Sequence, residues 1–419
     1  EVFFSTVDII NGAGSTDIKP NNTWKLEVLA GFAVTSSAAT QDITSLESGT
    51  DPDRSQQRFN TAINPVDWNF QTYLRPTGVE TGAAENTTTA ATNQSGNVKP
   101  LADWFMWQSM VSNTKPATGV GTAAKDQSTW VTGGKLLSKT QAKGTGSHAT
   151  KSNFSTASEN HIYFKLDNVI YQVSNATVNQ ATVDAGIEEI ATTTWAGFGT
   201  TLKELTGTAR DVAVSVFGGI LNNGSTVTAN STTENATAIT GGAYHSFAQM
   251  NVAGATGTNS FIKNRLSSIE FHHKASAGAS DEKFTFPVTA LSFDYNNNIT
   301  YLTPEEISAL NEPIGQFTGS RAITGSATMY LRTGDLESAG FLRNISEDSR
   351  TSSAQTSNAN LIIGGTTAPY VAFQLDACQF EFPQIATEDV VSMSVNFVGQ
   401  EPTATKGDGG EVTIFAKKS

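Results

Sequence analysis

The chain has 419 residues, of which 16% are charged, and a formal net charge of −13 at pH 7. Average soluble domains are about 25% charged; here Thr, Asn, Ser, Ala and Gly fill the gap, which suits short strands joined by many turns and suits helical bundles badly. The acidic balance excludes a protein that grips DNA or RNA through phosphates, since that needs Lys and Arg clusters, and the single cysteine, Cys378, excludes a disulfide framework within the chain and a Cys-rich metal site.

This length predicts two or three domains with room for two sizeable cores. No apolar run reaches the roughly 18 residues of a membrane-spanning helix, and no signal peptide is visible. The chain starts at Glu1 rather than Met, as a processed or trimmed chain would. Asn-x-Ser/Thr triplets such as those at Asn175, Asn298 and Asn344 are expected from composition alone.

Along the chain, Trp24 to Thr35 alternates between apolar and polar residues as a half-buried strand does. Val66 to Leu74 places Val66, Trp68 and Phe70 on one face and Asp67, Asn69 and Gln71 on the other, and Pro76 follows it, with no N–H for a ladder. Pro100 to Gln108 predicts a short helix, with Pro100 in its first turn and an apolar face at Trp104, Phe105 and Trp107. A polar loop from Asn113 to Asn160 follows. Ile162 to Val173 predicts a strand with a phase change, Val178 to Trp195 a strand pair, and Ala196 to Gly199 closes the unit. Thr206 to Glu282 reads as a connector with small strands of its own. Thr285 to Tyr295, Ile299 to Leu302 and Ile323 to Leu331 then predict strands, with a turn near Asn296 to Asn298. Leu336 to Ile345 sits where the first helix sat. Tyr370 to Phe382 and Val390 to Val398 are the last predicted core strands. The tail ends in Val412-Thr413-Ile414-Phe415, a short strand on a Gly-hinged arm that is expected to add to another subunit's sheet.

The chain is written twice. Ile43-Thr44-x-Leu46 returns as Ile299-Thr300-x-Leu302, and Tyr73-Leu74-Arg75 as Tyr330-Leu331-Arg332. Phe164-x-Leu166-Asp167 returns as Phe373-x-Leu375-Asp376, which would set Cys378 against Val169. Glu188-Glu189-Ile190-x-Thr192-x-Thr194 returns as Glu388-Asp389-Val390-x-Ser392-x-Ser394. The landmarks keep their order, and the extra residues of the first copy fall between strands, as surface insertions do. The expected division is a first unit over 1–205 with a long loop insertion at about 77–160, a connector over 206–282, a second unit over 283–402 and an arm over 403–419.

The residues suited to chemistry do not converge. In a strand, neighbours point to opposite faces, so Glu188-Glu189, Glu305-Glu306 and Glu388-Asp389 cannot each form an acid/base dyad. His272-His273 is split in the same way, and no His-x-x-x-His, nucleophile-elbow or phosphate-loop motif occurs. Asp294 to Asn298 lacks the calcium-loop pattern. Lys135, Lys139, Lys143 and Lys151 form a sparse basic run in a solvated loop. No catalytic residue, metal or cofactor is expected.

Pro65-Val66-Asp67-Trp68-x-Phe70-x-Thr72-Tyr73-x-Arg75-Pro76 resembles a segment of bacteriophage major tail tube proteins. So do Thr318-Gly319-x-Arg321-x-Ile323-Thr324-Gly325-Ser326, Asp389-Val390-Val391-Ser392-x-Ser394-Val395-Asn396-Phe397 and Ala191 to Gly199. The resemblance covers most of both copies. It implies an all-β fold with minor helix: two similar β-sandwich units, each flanked by a short helix, whose inner sheets join those of neighbours around a channel. It implies a structural, non-enzymatic virion protein of the tail, assembled in the host cytoplasm. Its partners would be copies of itself, in a ring of three chains with near-sixfold shape or alternatively a hexamer, and in stacked rings. Tail sheath, terminator and baseplate proteins would join these, with DNA passing without specific binding and no membrane. Glu188, Glu189, Glu388, Asp389 and Asp67 are then expected as channel-lining or inter-ring charges, and Val412, Ile414 and Phe415 as an inter-ring arm. A repeated β-sandwich adhesin that binds glycans or another cell shares the composition. A glycan-degrading enzyme would need converging carboxylates, which are not found.

Overall fold

The computed structural model describes residues 1–6, 8–10, 23–44, 56–76, 101–111, 130–131, 135–137, 160–166, 169–207, 262–273, 282–303, 311–334, 336–351, 357–365, 369–387, 391–401 and 411–417. The first half carries β1 (Val2–Ser5), β2 (Thr23–Leu26), β3 (Val28–Thr35), β4 (Ala38–Thr44), β5 (Gln56–Ile63) and β6 (Val66–Tyr73). After helix α1 (Trp104–Val111) come β7 (Trp130–Val131), β8 (Lys135–Leu137), β9 (Asn160–Leu166), β10 (Val169–Gly186), β11 (Thr192–Gly199) and β12 (Thr201–Glu204). The second half carries β13 (Ser268–His273), β14 (Glu282–Pro287), β15 (Ala290–Asn296), β16 (Ile299–Leu302), β17 (Gly315–Thr318) and β18 (Ala322–Tyr330). After helix α2 (Ser338–Thr351) come β19 (Ser357–Ile363), β20 (Tyr370–Phe380), β21 (Gln384–Thr387), β22 (Val391–Gly399) and β23 (Thr413–Lys417). The fold is all-β with minor helix, and every pairing between these strands is antiparallel.

The period-two segments form the strands that cross the core. In β6, Val66, Trp68 and Phe70 are buried while Asp67 and Asn69 are exposed. One sheet runs β3-β6-β11-β10-β15-β18-β22, with β22 also paired to the end of β20 and to β21. The second layer of the first half runs β2-β1-β9-β10-β12, and that of the second half runs β14-β13-β19-β20-β23. β10 belongs to both layers: residues 169–176 pair with β9 and residues 177–186 with β11 and β15. Stacked Phe32 and Phe164 (4.8 Å) and Phe293 and Phe373 (4.6 Å) close the gap between the layers. α1 fills the first core through buried Phe105, Met106, Trp107 and Met110, and Trp107 meets both Trp195 and Phe373. α2 buries Phe341 against Phe271 and Phe380.

Apart from β7 and β8, the pairing pattern of the first half returns in the second. Phe70 faces Trp195 as Ala327 faces Val395. Leu74 donates its N–H to the Ala191 carbonyl (2.9 Å), and Leu331 donates to the Val391 carbonyl (3.0 Å). Even a register irregularity recurs, between Val173 opposite Ile162 and Ala176 opposite Asn160, and again between Leu375 opposite Ala359 and Cys378 opposite Ser357. Hairpins β4-β5 and β16-β17 leave the sheet at the same point in each half. At one cross-strand position the sizes are exchanged: Gly197 faces Trp68 in the first half, and Gly325 faces Phe397 in the second. The same volume is filled from opposite strands, which keeps both cores at native density.

The pairings also correct several expectations. Tyr73 and Tyr330 mark equivalent positions, opposite Thr192 and Ser392, but Phe164 lies on β9 and Phe373 on β20, whose counterpart is β10. The two Phe-x-Leu-Asp stretches belong to strands that neighbour one another in each half, and period two cannot tell such neighbours apart. Cys378 therefore matches Ala176, not Val169; it is buried, and burial pushes its thiol pKa far up. Residues 268–273, expected inside the connector, are β13, paired with β14 and β19 as β1 is paired with β2 and β9. The arm strand β23 pairs with β20 of its own chain, the position that β12 holds against β10. Both helices start later than expected, at Trp104 and Ser338.

Candidate assembly site

The two halves meet where β10 pairs with β15, from Gln180 opposite Asn296 to Gly186 opposite Ala290. On the core side of this joint Val183 faces Phe293, and both are buried. On the other side the Asp294 carboxylate Oδ1 accepts from Thr182 Oγ1 (2.6 Å) and from Gln180 Nε2 (2.7 Å). The ends of the joint are pinned as well. Asn297 Nδ2 donates to the Met110 carbonyl (2.7 Å), its backbone N–H donates to the Asn179 carbonyl (2.9 Å), and Ile299 N–H donates to Asn179 Oδ1 (2.8 Å). Tyr301 donates its hydroxyl to the Asn175 carbonyl (2.8 Å). These contacts join residues far apart in sequence, so each carries little information in a linear reading.

The face of this sheet that turns away from the core is polar and one-sided in charge. Asp67 and Asn69 on β6, Thr192 and Thr194 on β11, and Thr182 and Asp184 on β10 share it with Ser292 and Asp294 on β15, by registers that run straight across the strands. Thr324 and Ser326 on β18 and Ser394 and Asn396 on β22 continue it. Among the described residues it carries Asp67, Asp184 and Asp294 and no Lys or Arg. Gln71 donates from Nε2 to Thr192 and Thr194 (3.2 and 3.3 Å), so its amides and hydroxyls are partly engaged with one another.

Of the residues singled out in the sequence, Asp67 lies on this face and is exposed. Glu188 and Glu189 occupy the turn between β10 and β11, at the rim; Glu188 meets Arg265 at 3.7 Å, and both side chains are largely exposed. Glu388 and Asp389 lie outside the described residues, as does Glu305-Glu306. Val412 and Ile414 are buried beside β20, and Phe415 is in β23. Asp184 and Asp294 were missed, although Thr182-Val183-Asp184 and Ser292-Phe293-Asp294 show the same alternation that marked Asp67. A cleft of about 430 Å³ next to Asp67 is lined by Pro65, Phe198, Thr300 and Tyr301, and Asp67 is the one charged group in its lining. Among the described residues no group of His, Cys, Asp and Glu is placed to hold a metal ion, and no helix is long and apolar enough to cross a membrane.

No protein-family model matches the chain. It is 26% identical over 428 residues to the tail tube protein pb6 of Escherichia phage T5, an alignment that spans 99% of this chain and 75% of that one. The likeness runs through both halves and the joint between them, and together with the all-β fold it supports the role of a bacteriophage tail tube protein, a structural component of the virion tail.

Proposed function

We propose that the chain consists of two tube-like units, over about 1–205 and 262–417, and that three chains close into a ring with near-sixfold shape, stacked rings forming the conduit for genome ejection. The single observation that carries this reading is the β10–β15 joint, where the last strand of one unit's inner sheet is hydrogen-bonded to the first strand of the next. A repeated unit joined head to tail can continue from chain to chain and return on itself, and a sheet closed in this way has no exposed edges. The polar face, with Asp67, Asp184 and Asp294, would line the channel; its carboxylates repel phosphate and its hydroxyls and amides offer no cation, so DNA would slide without binding. The rim position of Glu188 and Glu189 fits an inter-ring charge better than a channel-lining one. The role is structural rather than enzymatic, with further tail proteins meeting the ends of the tube.

Electron microscopy of the purified protein under assembly conditions tests this. Hollow tubes are expected, with class averages of a ring containing three chains. Monomers under every condition that permits assembly would overturn it.

A further inference from the structure

The cleft at the end of the polar face is built from both halves of the chain. Its floor is the cross-strand pair Asp67 and Phe198, on β6 and β11. One wall is the root of the β4–β5 hairpin, at Ser37 and Asn64, and the other is β16, at Thr300 and Tyr301. Ile63 N–H donates to the Asn311 carbonyl (2.8 Å), which ties the two hairpins together, and Asn64 N–H donates to the Ser37 carbonyl (2.9 Å), which closes the first root. The volume of about 430 Å³ falls within the usual range of small-molecule sites.

The lining selects by charge and by shape. Asp67 is exposed, and its carboxylate has no hydrogen-bond or ion-pair partner among the described residues. Asn64 Nδ2 donates to Ser37 Oγ (3.0 Å), which leaves the amide oxygen as a second acceptor. Phe198 and Tyr301 meet edge to face, with ring centroids 6.1 Å apart. Both are held from behind: Trp68 Nε1 donates to the Phe198 carbonyl (3.2 Å), and the Tyr301 hydroxyl donates to the Asn175 carbonyl (2.8 Å). A carboxylate beside aromatic rings attracts a cation both by its charge and through the rings. One carboxylate is too little for a divalent metal ion, which takes several oxygen ligands at once. A bare monovalent ion gains nothing from the apolar wall that Pro65 and Ile299 add. An alkyl ammonium matches both parts of the lining.

We propose that this cleft binds the ammonium end of a linear alkyl amine, with the charge at Asp67 and Asn64 and the methylene chain against Phe198 and Tyr301. The second half does not repeat the site. The counterpart of the Asp67 and Phe198 pair is Thr324 opposite Val398, which has neither the charge nor the ring. One site per chain follows. An amine bound there neutralises a carboxylate of the polar face and links the hairpin roots of the two halves. The assignment concerns the single chain and holds whether or not three chains close a ring.

The probe is putrescine, a linear diamine, titrated calorimetrically into the unassembled chain at low, fixed ionic strength. Saturable binding at one site per chain is expected. Asp67→Asn is expected to weaken it by about tenfold or more, and Phe198→Leu by about fivefold, with both variants keeping the far-UV spectrum of the unaltered chain. Asp184→Asn removes another exposed carboxylate from the same face and is expected to leave binding as it was. Equal losses in Asp67→Asn and Asp184→Asn would mean a diffuse counterion cloud around an acidic chain and overturn the site, as would no binding to the unaltered chain. Full binding in Phe198→Leu, or equally tight binding of ammonium ion without a methylene chain, would overturn the ligand class. None of these results bears on tube formation, which is read separately by microscopy.

Discussion

The exchanged pair in the two cores gives a sharp test of how the halves are packed. A Cβ added at Gly197 would lie 2.0 Å from the Thr177 carbonyl oxygen and 2.3 Å from Trp68 Cζ2. One added at Gly325 would lie 2.2 Å from Phe397 Cζ and 2.8 Å from the Ser292 carbonyl oxygen. The nearest obstacle at 197 is backbone, in a strand paired on both sides, so more than an ångström of movement is needed and no rotamer supplies it. At 325 the nearest obstacle is a ring. Overpacking typically costs 1–3 kcal/mol, and Gly197→Ala is expected at or above the top of that range, about 3 kcal/mol. All six Trp residues precede residue 205, so Trp fluorescence reports chiefly on the first half, with Trp107 also touching Phe373 of the second. With a urea slope of about 2 kcal/mol per molar, the Trp-detected midpoint of Gly197→Ala should fall by about 1.5 M in dilute, unassembled protein. Trimming the large partner should separate the two sites: Phe397→Leu recovers much of the loss in Gly325→Ala, while Trp68→Leu does not recover Gly197→Ala. An unchanged midpoint for Gly197→Ala, or equal rescue at both sites, would refute the packing account.

Asp103 is fully buried before α1, and desolvation raises its pKa to about 6, against the opposing hydrogen bond from Thr72 and the nearby Arg75 and Trp195. A carboxyl whose folded pKa is raised above its unfolded value adds stability that is complete below about pH 4 and lost as pH rises through about 6, some 3 kcal/mol in all. Asp103→Asn is expected to flatten that dependence between pH 4 and 7 and to raise stability at pH 7, as read by urea midpoints across the range. Arg321 and Glu411 form a mostly buried pair at 2.8 Å, with Arg321 over the Tyr295 ring, and they hold the last strand against the second half. Glu411→Gln should cost about 2 kcal/mol locally and speed hydrogen exchange of residues 413–417 before that of β20; uniform exchange across both strands would count against it. Asp184→Lys adds a cation to the polar face at a position whose side chain takes no part in the Asp294, Thr182 and Gln180 contacts of the joint, and tubes of this variant should retain DNA at low salt and release it as salt rises. Unaltered DNA retention at every salt concentration would argue against that face lining the channel.

Much of this protein was legible as a string because a strand that crosses a core must alternate every second residue, and a copied strand keeps its alternation. That rule located β6, β18 and β22, and it aligned Tyr73 with Tyr330 and Thr192 with Ser392, positions whose registers then agree across the sheet. The same rule misled at Phe164 and Phe373, because adjacent strands of one sandwich share a period and differ only in their partners. Which edge meets which, that β23 returns to its own chain, that β13 completes the second half, and that Asp67, Asp184 and Asp294 share one face were decided by tertiary structure. Those are facts of register between distant segments, and register is fixed by what packs on the buried face, which no local pattern records.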